Sequence, residues 1–225
     1  RPALNSPGMI PRRASRQVIV GDDRVGRVAI GGGLPDERGN PTTPAPVSVQ
    51  SMTTGPTHDV DACVREIDAL AAAGADLVRV AVPERKDTQA LRRIIPRVSV
   101  PIVADVHFHF QRALEAIDAG VHKIRLNPGN ISDRAQVREV IRACKARGLP
   151  IRVGVNEGSI VERRDKQKRQ KELAAVFGEH THGALLAIMI AKLEEYLDIF
   201  REEDFRGVVI SAKSMDAGLV VDAYT

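Results

Sequence analysis

Several short Val- and Ile-rich runs of this sequence end in polar side chains spaced two or four residues apart. Arg79 lies in DLVRVAV (76–82), Asp105 and His107 in PIVADVHF (101–108), and Arg125 and Asn127 in KIRLNPGN (123–130). Arg152 and Asn156 lie in IRVGVNEGS (151–159), and Ser211 and Lys213 in GVVISAKS (207–214). A β-strand turns successive side chains to opposite faces, so residues two or four apart share one face. Four cations, Arg79, Arg125, Arg152 and Lys213, are thereby grouped with amides, a hydroxyl, one carboxylate and one imidazole. Such a set suits a multiply charged phosphate ester, because guanidinium forks match phosphate oxygens in pairs and lysine adds a point charge. An isolated strand arginine is as often one half of a salt bridge, and Asp76, Asp105 and Glu157 are available as partners. Four cations at matching places in four strands require that coincidence four times.

The elements that must position these residues follow from the same runs. VSVQSM (47–52) adds a sixth apolar stretch, and helix-like sequence separates most of the six, which predicts repeated βα units on a parallel sheet. DVDACVREIDALAAAG (59–74), QRALEAIDAG (111–120) and SDRAQVREVIRACKARG (132–148) each close on glycine before the next run. Strand starts at Val47, Leu77, Ile102, Ile124 and Ile151 recur at a near-constant interval. That regularity favours a (β/α)8 TIM barrel over an open sheet, the alternative architecture, and in either the C-terminal strand edge is where ligands bind. The wider gap to Val208 is expected to hold a charged segment (161–178), a loop GEHTHG (178–183) and a long helix to about Phe200. Upstream, 1–16 is expected to be a flexible leader and 17–33 a small β-hairpin about a Gly-Asp-Asp turn, with 17–225 forming one barrel domain. The GGG at 31–33 is weak evidence for a phosphate loop, and the Gly- and Pro-rich stretch after it predicts a surface loop.

Composition narrows the function. The chain has 225 residues, 43% hydrophobic and 28% charged, as expected of a water-soluble globular domain. A net charge of +4 and a pI near 9.3 invite a nucleic-acid reading. Aromatic residues, however, are only 3% and there is no Trp, which leaves no stacking platform for bases. Much of the basic excess sits at the start and in ERRDKQKRQK (162–171), whose mixed signs suit a solvated helical face. No apolar run is long enough for a membrane span; ALLAIMIAKL (184–193) is followed by charged residues. Cys63 and Cys144 both fall in helical sequence without metal-ligand spacing, so a reducing cytoplasm is expected and a disulfide framework is not. His107 with His109, and His180 with His182, lack identifiable partners for a zinc site, and no metal site is assigned.

Taken in order, VSVQSMTTGPTHDVDA, DLVRVAVP, PIVADVHF, IRLNPGNI, IRVGVNEGS and VVISAKS closely resemble the N-terminal barrel of the 4-hydroxy-3-methylbut-2-enyl diphosphate synthase family, the iron–sulfur enzymes of the non-mevalonate isoprenoid pathway. The resemblance runs from about Arg12 to Thr225. It implies a dihydropteroate-synthase-like (β/α)8 barrel that binds 2-C-methyl-D-erythritol 2,4-cyclodiphosphate, which family enzymes open by two-electron reduction with loss of water. The family's diphosphate-binding positions match Arg79, Arg125, Asn127, Arg152, Asn156, Ser211 and Lys213, and its polar third-strand motif matches Asp105 and His107. The resemblance also implies ferredoxin or flavodoxin as electron donor, a homodimer, and a four-iron, four-sulfur cluster held by a separate C-terminal domain. The sequence departs from the family by stopping at AYT, after about six of eight barrel strands and before that domain. Cys63 and Cys144 do not match the cluster ligands, so these residues are expected to bind substrate without performing the reduction, and no catalytic acid or base is assigned. Two other readings stay open: another phosphate-binding barrel enzyme, pterin-binding or aldolase-like, and a noncatalytic truncated binding protein.

Overall fold

A computed structural model of the chain describes residues 13–107, 109–126, 133–156 and 181–224. Two strands, β1 (Val18–Asp22) and β2 (Gly26–Ile30), form an antiparallel hairpin. Six more, β3 (Gln50–Met52), β4 (Leu77–Ala81), β5 (Ile102–Val106), β6 (Lys123–Leu126), β7 (Ile151–Asn156) and β8 (Val208–Lys213), form one parallel sheet in sequential order. Between them run α1 (Val60–Ala72), α2 (Arg85–Ile94), α3 (Phe110–Ala119), α4 (Arg134–Ala146) and α5 (Thr181–Glu202), with α6 (Ala217–Tyr224) after β8. Each helix packs on the next in chain order, as helices around a closing sheet do.

The helices start and stop for local reasons. Asp59 and Asp133 accept hydrogen bonds from the backbone N–H groups of Ala62 and Ala135, capping α1 and α4. Gly120, at φ +94°, ends α3 in the left-handed conformation. The α2 segment carries few apolar residues, and its first turn is fixed by Glu84 N–H donating to the Asp87 carboxylate. Alternate strand residues face these helices. Val78, Val80, Ile102, Ala104, Ile124 and Ile151 are fully buried in the core with Ile67, Leu91, Ile117 and Ile141 from the helices.

Their neighbours in sequence face the other side of the sheet, and that side is concave. The Lys123 Nζ donates to Gln50 Oε1 at 3.2 Å, although β6 and β3 are three strands apart. In a flat sheet that separation is about 14 Å, so the sheet curls far enough to bring its members together across an interior. The hairpin sits at the N-terminal end of the strands: Arg24 donates to Val98 O, and Asp22 faces His122, which precedes β6.

Three boundaries differ from expectation. The first barrel strand begins at Gln50 rather than Val47, because Val47 and Val49 are 62% and 50% exposed on an edge with β4 on one side only. Part of the expected loop 178–183 is helical, since α5 already includes Thr181–Gly183. Of the expected leader, Ser15 is joined to the end of the hairpin, its N–H donating to Gly32 O. The GGG is what permits this packing: a Cβ on Gly31 would lie 2.6 Å from Arg16 O. Residues 1–12, the charged segment 161–178 and the loop's start at 178–180 lie outside the described residues.

Candidate functional site

The concave face gathers the polar strand residues. The strand register sets Met52 beside Arg79, Asp105 beside Arg125, Arg125 beside Arg152, Gly154 beside Ser211 and Asn156 beside Lys213. A cavity of about 570 Å³ on this face is lined by Gln50, Met52, Arg79, Lys123, Arg152 and Lys213, with Ser211 and Tyr224. Residues of both edge strands, β3 and β8, border the same space.

Asp105 organises one side of it. The carboxylate is 2% exposed; one oxygen accepts from Arg125 Nη1 at 2.9 Å and the other lies 3.5 Å from Arg79 Nε. His107 Nε2 is 3.8 Å from that second oxygen. Arg79 also donates to the thioether of Met52 from Nε and Nη2, at 3.1 and 2.9 Å. Sulfur is a weak acceptor, so these contacts aim the guanidinium while leaving its strong donors poorly satisfied. Arg152 donates from Nε to Ser211 Oγ at 3.3 Å. Gly154 keeps that corner open, because a Cβ there would meet Ser211 Oγ at 2.4 Å.

Five cations, Arg79, Lys123, Arg125, Arg152 and Lys213, share the concave face with this one carboxylate, which pairs with two of them. Burial, then Arg152 and Arg79, push the Lys123 amine down to about 8. Burial first, then Arg79 and Arg125, lower Arg152; burial, then Arg152, Arg79 and Arg125, lower Lys213. Cations that depress one another in a half-buried cavity form a positive site that an anionic ligand would relieve.

The structure therefore brings together Arg79, Asp105, His107, Arg125, Arg152, Ser211 and Lys213. Asn156 ends β7 beside Lys213 and is exposed. Asn127 lies outside the described residues. Gln50, Met52 and Lys123 belong to the same cavity and were not singled out from the sequence. The signal was present: Lys123 and Arg125 are two apart on β6, as are Gln50 and Met52 on β3, so alternation places them on the same face.

The described residues offer nothing that fits an iron–sulfur cluster. Cys63 and Cys144 are free and buried on different helices, and burial raises their thiols to about 11 and about 12, whereas cluster ligands are thiolates. No three His, Cys, Asp or Glu side chains among the described residues are placed to share a metal ion. None of the described helices is long and apolar enough to cross a membrane.

Residues 23–225 match the family model described as the GcpE TIM-barrel domain. Among curated relatives, the 4-hydroxy-3-methylbut-2-en-1-yl diphosphate synthase (flavodoxin) of Rhodospirillum rubrum is 43% identical over 215 residues, 96% of this chain and 48% of that protein. The proteins of the same name from Azotobacter vinelandii and Zymomonas mobilis are 41% and 40% identical, over 98% and 96% of this chain and 52% and 49% of theirs. The chain thus spans about half the length of the curated relatives it matches. Among solved structures, a type I 3-dehydroquinate dehydratase from Clostridium difficile superposes with a TM-score of 0.51 at 13% identity, covering 92% of this chain and 84% of that one. A phospho-2-dehydro-3-deoxyheptonate aldolase from Thermotoga maritima gives 0.52 at 7% identity, covering 87% and 46%. Both likenesses are of fold alone.

Proposed function

The chain belongs to the GcpE TIM-barrel family, and on that premise we propose that it is the substrate-binding barrel of a 4-hydroxy-3-methylbut-2-enyl diphosphate synthase. Its ligand is 2-C-methyl-D-erythritol 2,4-cyclodiphosphate, and the barrel is of the dihydropteroate-synthase-like type. The reaction is a two-electron reduction in which the ring opens, one carbon–oxygen bond to the diphosphate breaks and water is lost. Flavodoxin, named for the relatives, is the proposed electron donor, with ferredoxin the other family donor. The four-iron, four-sulfur cluster that supplies the electrons has no ligand set among the described residues, and no step is assigned to it. A homodimer in the cytoplasm, where free thiols persist, completes the proposal.

The observation that carries this reading is the convergence of Arg79, Lys123, Arg152 and Lys213 on one cavity, with Arg125 beside Arg152 in the strand register and Asp105 as the only carboxylate ion-paired to any of the five among the described residues. Arg125 and Arg152 hold diphosphate oxygens through charge-assisted hydrogen bonds, and Asn127, Asn156 and Ser211 supply neutral donors around them. Asp105 and His107 act one step back, fixing the guanidiniums of Arg79 and Arg125 so that the reacting carbons are oriented at the strand ends. Tyr224 is the one aromatic side chain on the cavity wall among the described residues, which gives a pterin little to stack on.

Calorimetric titration of the full-length protein with the cyclodiphosphate tests the proposal. Arg125→Ala and Arg152→Ala are each expected to weaken binding by about 1.5–3 kcal/mol, the range for a hydrogen bond to a charged group. Unchanged affinity in Arg125→Ala, or preferential binding of a pterin diphosphate by the parent, would overturn it.

A further inference from the structure

Lys123 is the most deeply buried cation of the cavity. It is 2% exposed, yet its three N–H donors have a single recorded partner, Gln50 Oε1 at 3.2 Å. No carboxylate among the described residues pairs with it. A buried ammonium without a counter-charge is costly to fold around, and an apolar residue on β6 would serve packing better. Its position is also distinct. On β6 it precedes Arg125 by two residues, one inward step of about 6.6 Å toward the N-terminal strand ends, and its register partner is the apolar Val103 rather than Asp105. Gln50 is positioned from the far edge strand to orient the amine into the cavity.

We propose that Lys123, oriented by Gln50, forms a second and deeper anion subsite, which takes the inner phosphoryl group of a diphosphate whose outer group lies on Arg125 and Arg152. The subsite rests on the reading of this cavity as a diphosphate cradle and adds to it a means of telling length: a diphosphate reaches both levels, and a monophosphate occupies one. Specificity for the diphosphate is then set from below, by a residue on the floor, as well as by the arginines one inward step above it.

The test compares inorganic pyrophosphate with orthophosphate by calorimetry on the full-length protein at pH 7. The parent should prefer pyrophosphate. Lys123→Met should weaken pyrophosphate about tenfold or more, the size expected for losing one charge-assisted contact, while changing orthophosphate less than about threefold. Arg125→Ala should weaken both. Lys123→Met should melt no lower than the parent because it removes a buried charge; if it fails to fold, Lys123→Gln repeats the comparison. Pyrophosphate affinity within about twofold of the parent in the Lys123 variant, or an equal loss of both anions, overturns the subsite. With Arg125→Ala still impaired, that outcome leaves the cradle standing, whereas a parent that binds neither anion overturns the cradle as well.

Discussion

Asp105 spends its two oxygens on two different arginines, and this makes it a brace. Replacing it with Asn leaves Arg79 and Arg125 buried without a counter-charge, which typically costs about 3–5 kcal/mol; chemical denaturation of Asp105→Asn should show a loss of that size. At Gly154 the constraint is steric. Gly154→Ala should lower both the melting temperature and pyrophosphate affinity, because the methyl meets Ser211 Oγ. Adding Ser211→Ala should recover much of the stability, and a double-mutant cycle measures the coupling. The pH dependence follows from Lys123. The folded protein releases this proton at about 8, the unfolded chain near the ordinary 10.5. Between those values the unfolded state holds more protons, so conformational stability rises with pH across this window. Pyrophosphate affinity moves oppositely, falling as pH climbs through about 8 and the amine loses its charge; calorimetry from pH 7 to 9 checks the sign.

At the scale of elements, a histidine joins Arg24 in tying the hairpin to the barrel. Ile102 N–H donates to His122 Nδ1 at 3.0 Å, which leaves Nε2 to carry the proton and face Asp22 at 3.4 Å. Burial lowers the imidazole below its ordinary 6.5, against the opposing pull of Asp22. A histidine buried neutral takes up its proton more readily when unfolded, so stability should fall as pH drops below about 6.5; a His122→Gln protein should show a flatter acid limb in thermal melts. The parallel strands and the glycine-terminated helices were legible because period-two runs and left-handed caps are local properties. Helix α2, RKDTQALRRI, is amphipathic but mostly charged, burying Asp87 and Thr88 beside Ala90, Leu91 and Ile94, so a search for apolar runs passes over it. Strand β3 was overextended because Val47 and Val49 have strand-like identities, while only the register with β4 shows where pairing begins.

For the whole molecule, the inward set of arginines could be read from alternation, since every strand in a parallel sheet presents the same end to the same side. What alternation could not supply was distance across the interior. Lys123 looks like the polar start of a strand until curvature brings Gln50 to it from three strands away. Likewise, that Asp105 serves two arginines at once is a property of three adjacent strands and of no single motif. Among the described residues β3 and β8 each have one strand neighbour, and the 225 residues taken alone should self-associate as concentration rises. Sedimentation velocity across a concentration series would show it, and a monomer at all concentrations would argue that the edges are protected.

The surplus of cations over carboxylates in the cavity also bears on speed. A concentrated positive field at a concave mouth draws dianionic solutes in faster than neutral diffusion delivers them, and dissolved salt blunts that pull within a Debye length of about 8 Å at physiological ionic strength. Stopped-flow binding of pyrophosphate should accordingly show an association rate that drops steeply from low to physiological salt, while dissociation, governed by contacts already desolvated, changes far less. The cradle would thus capture its ligand by charge and retain it by geometry.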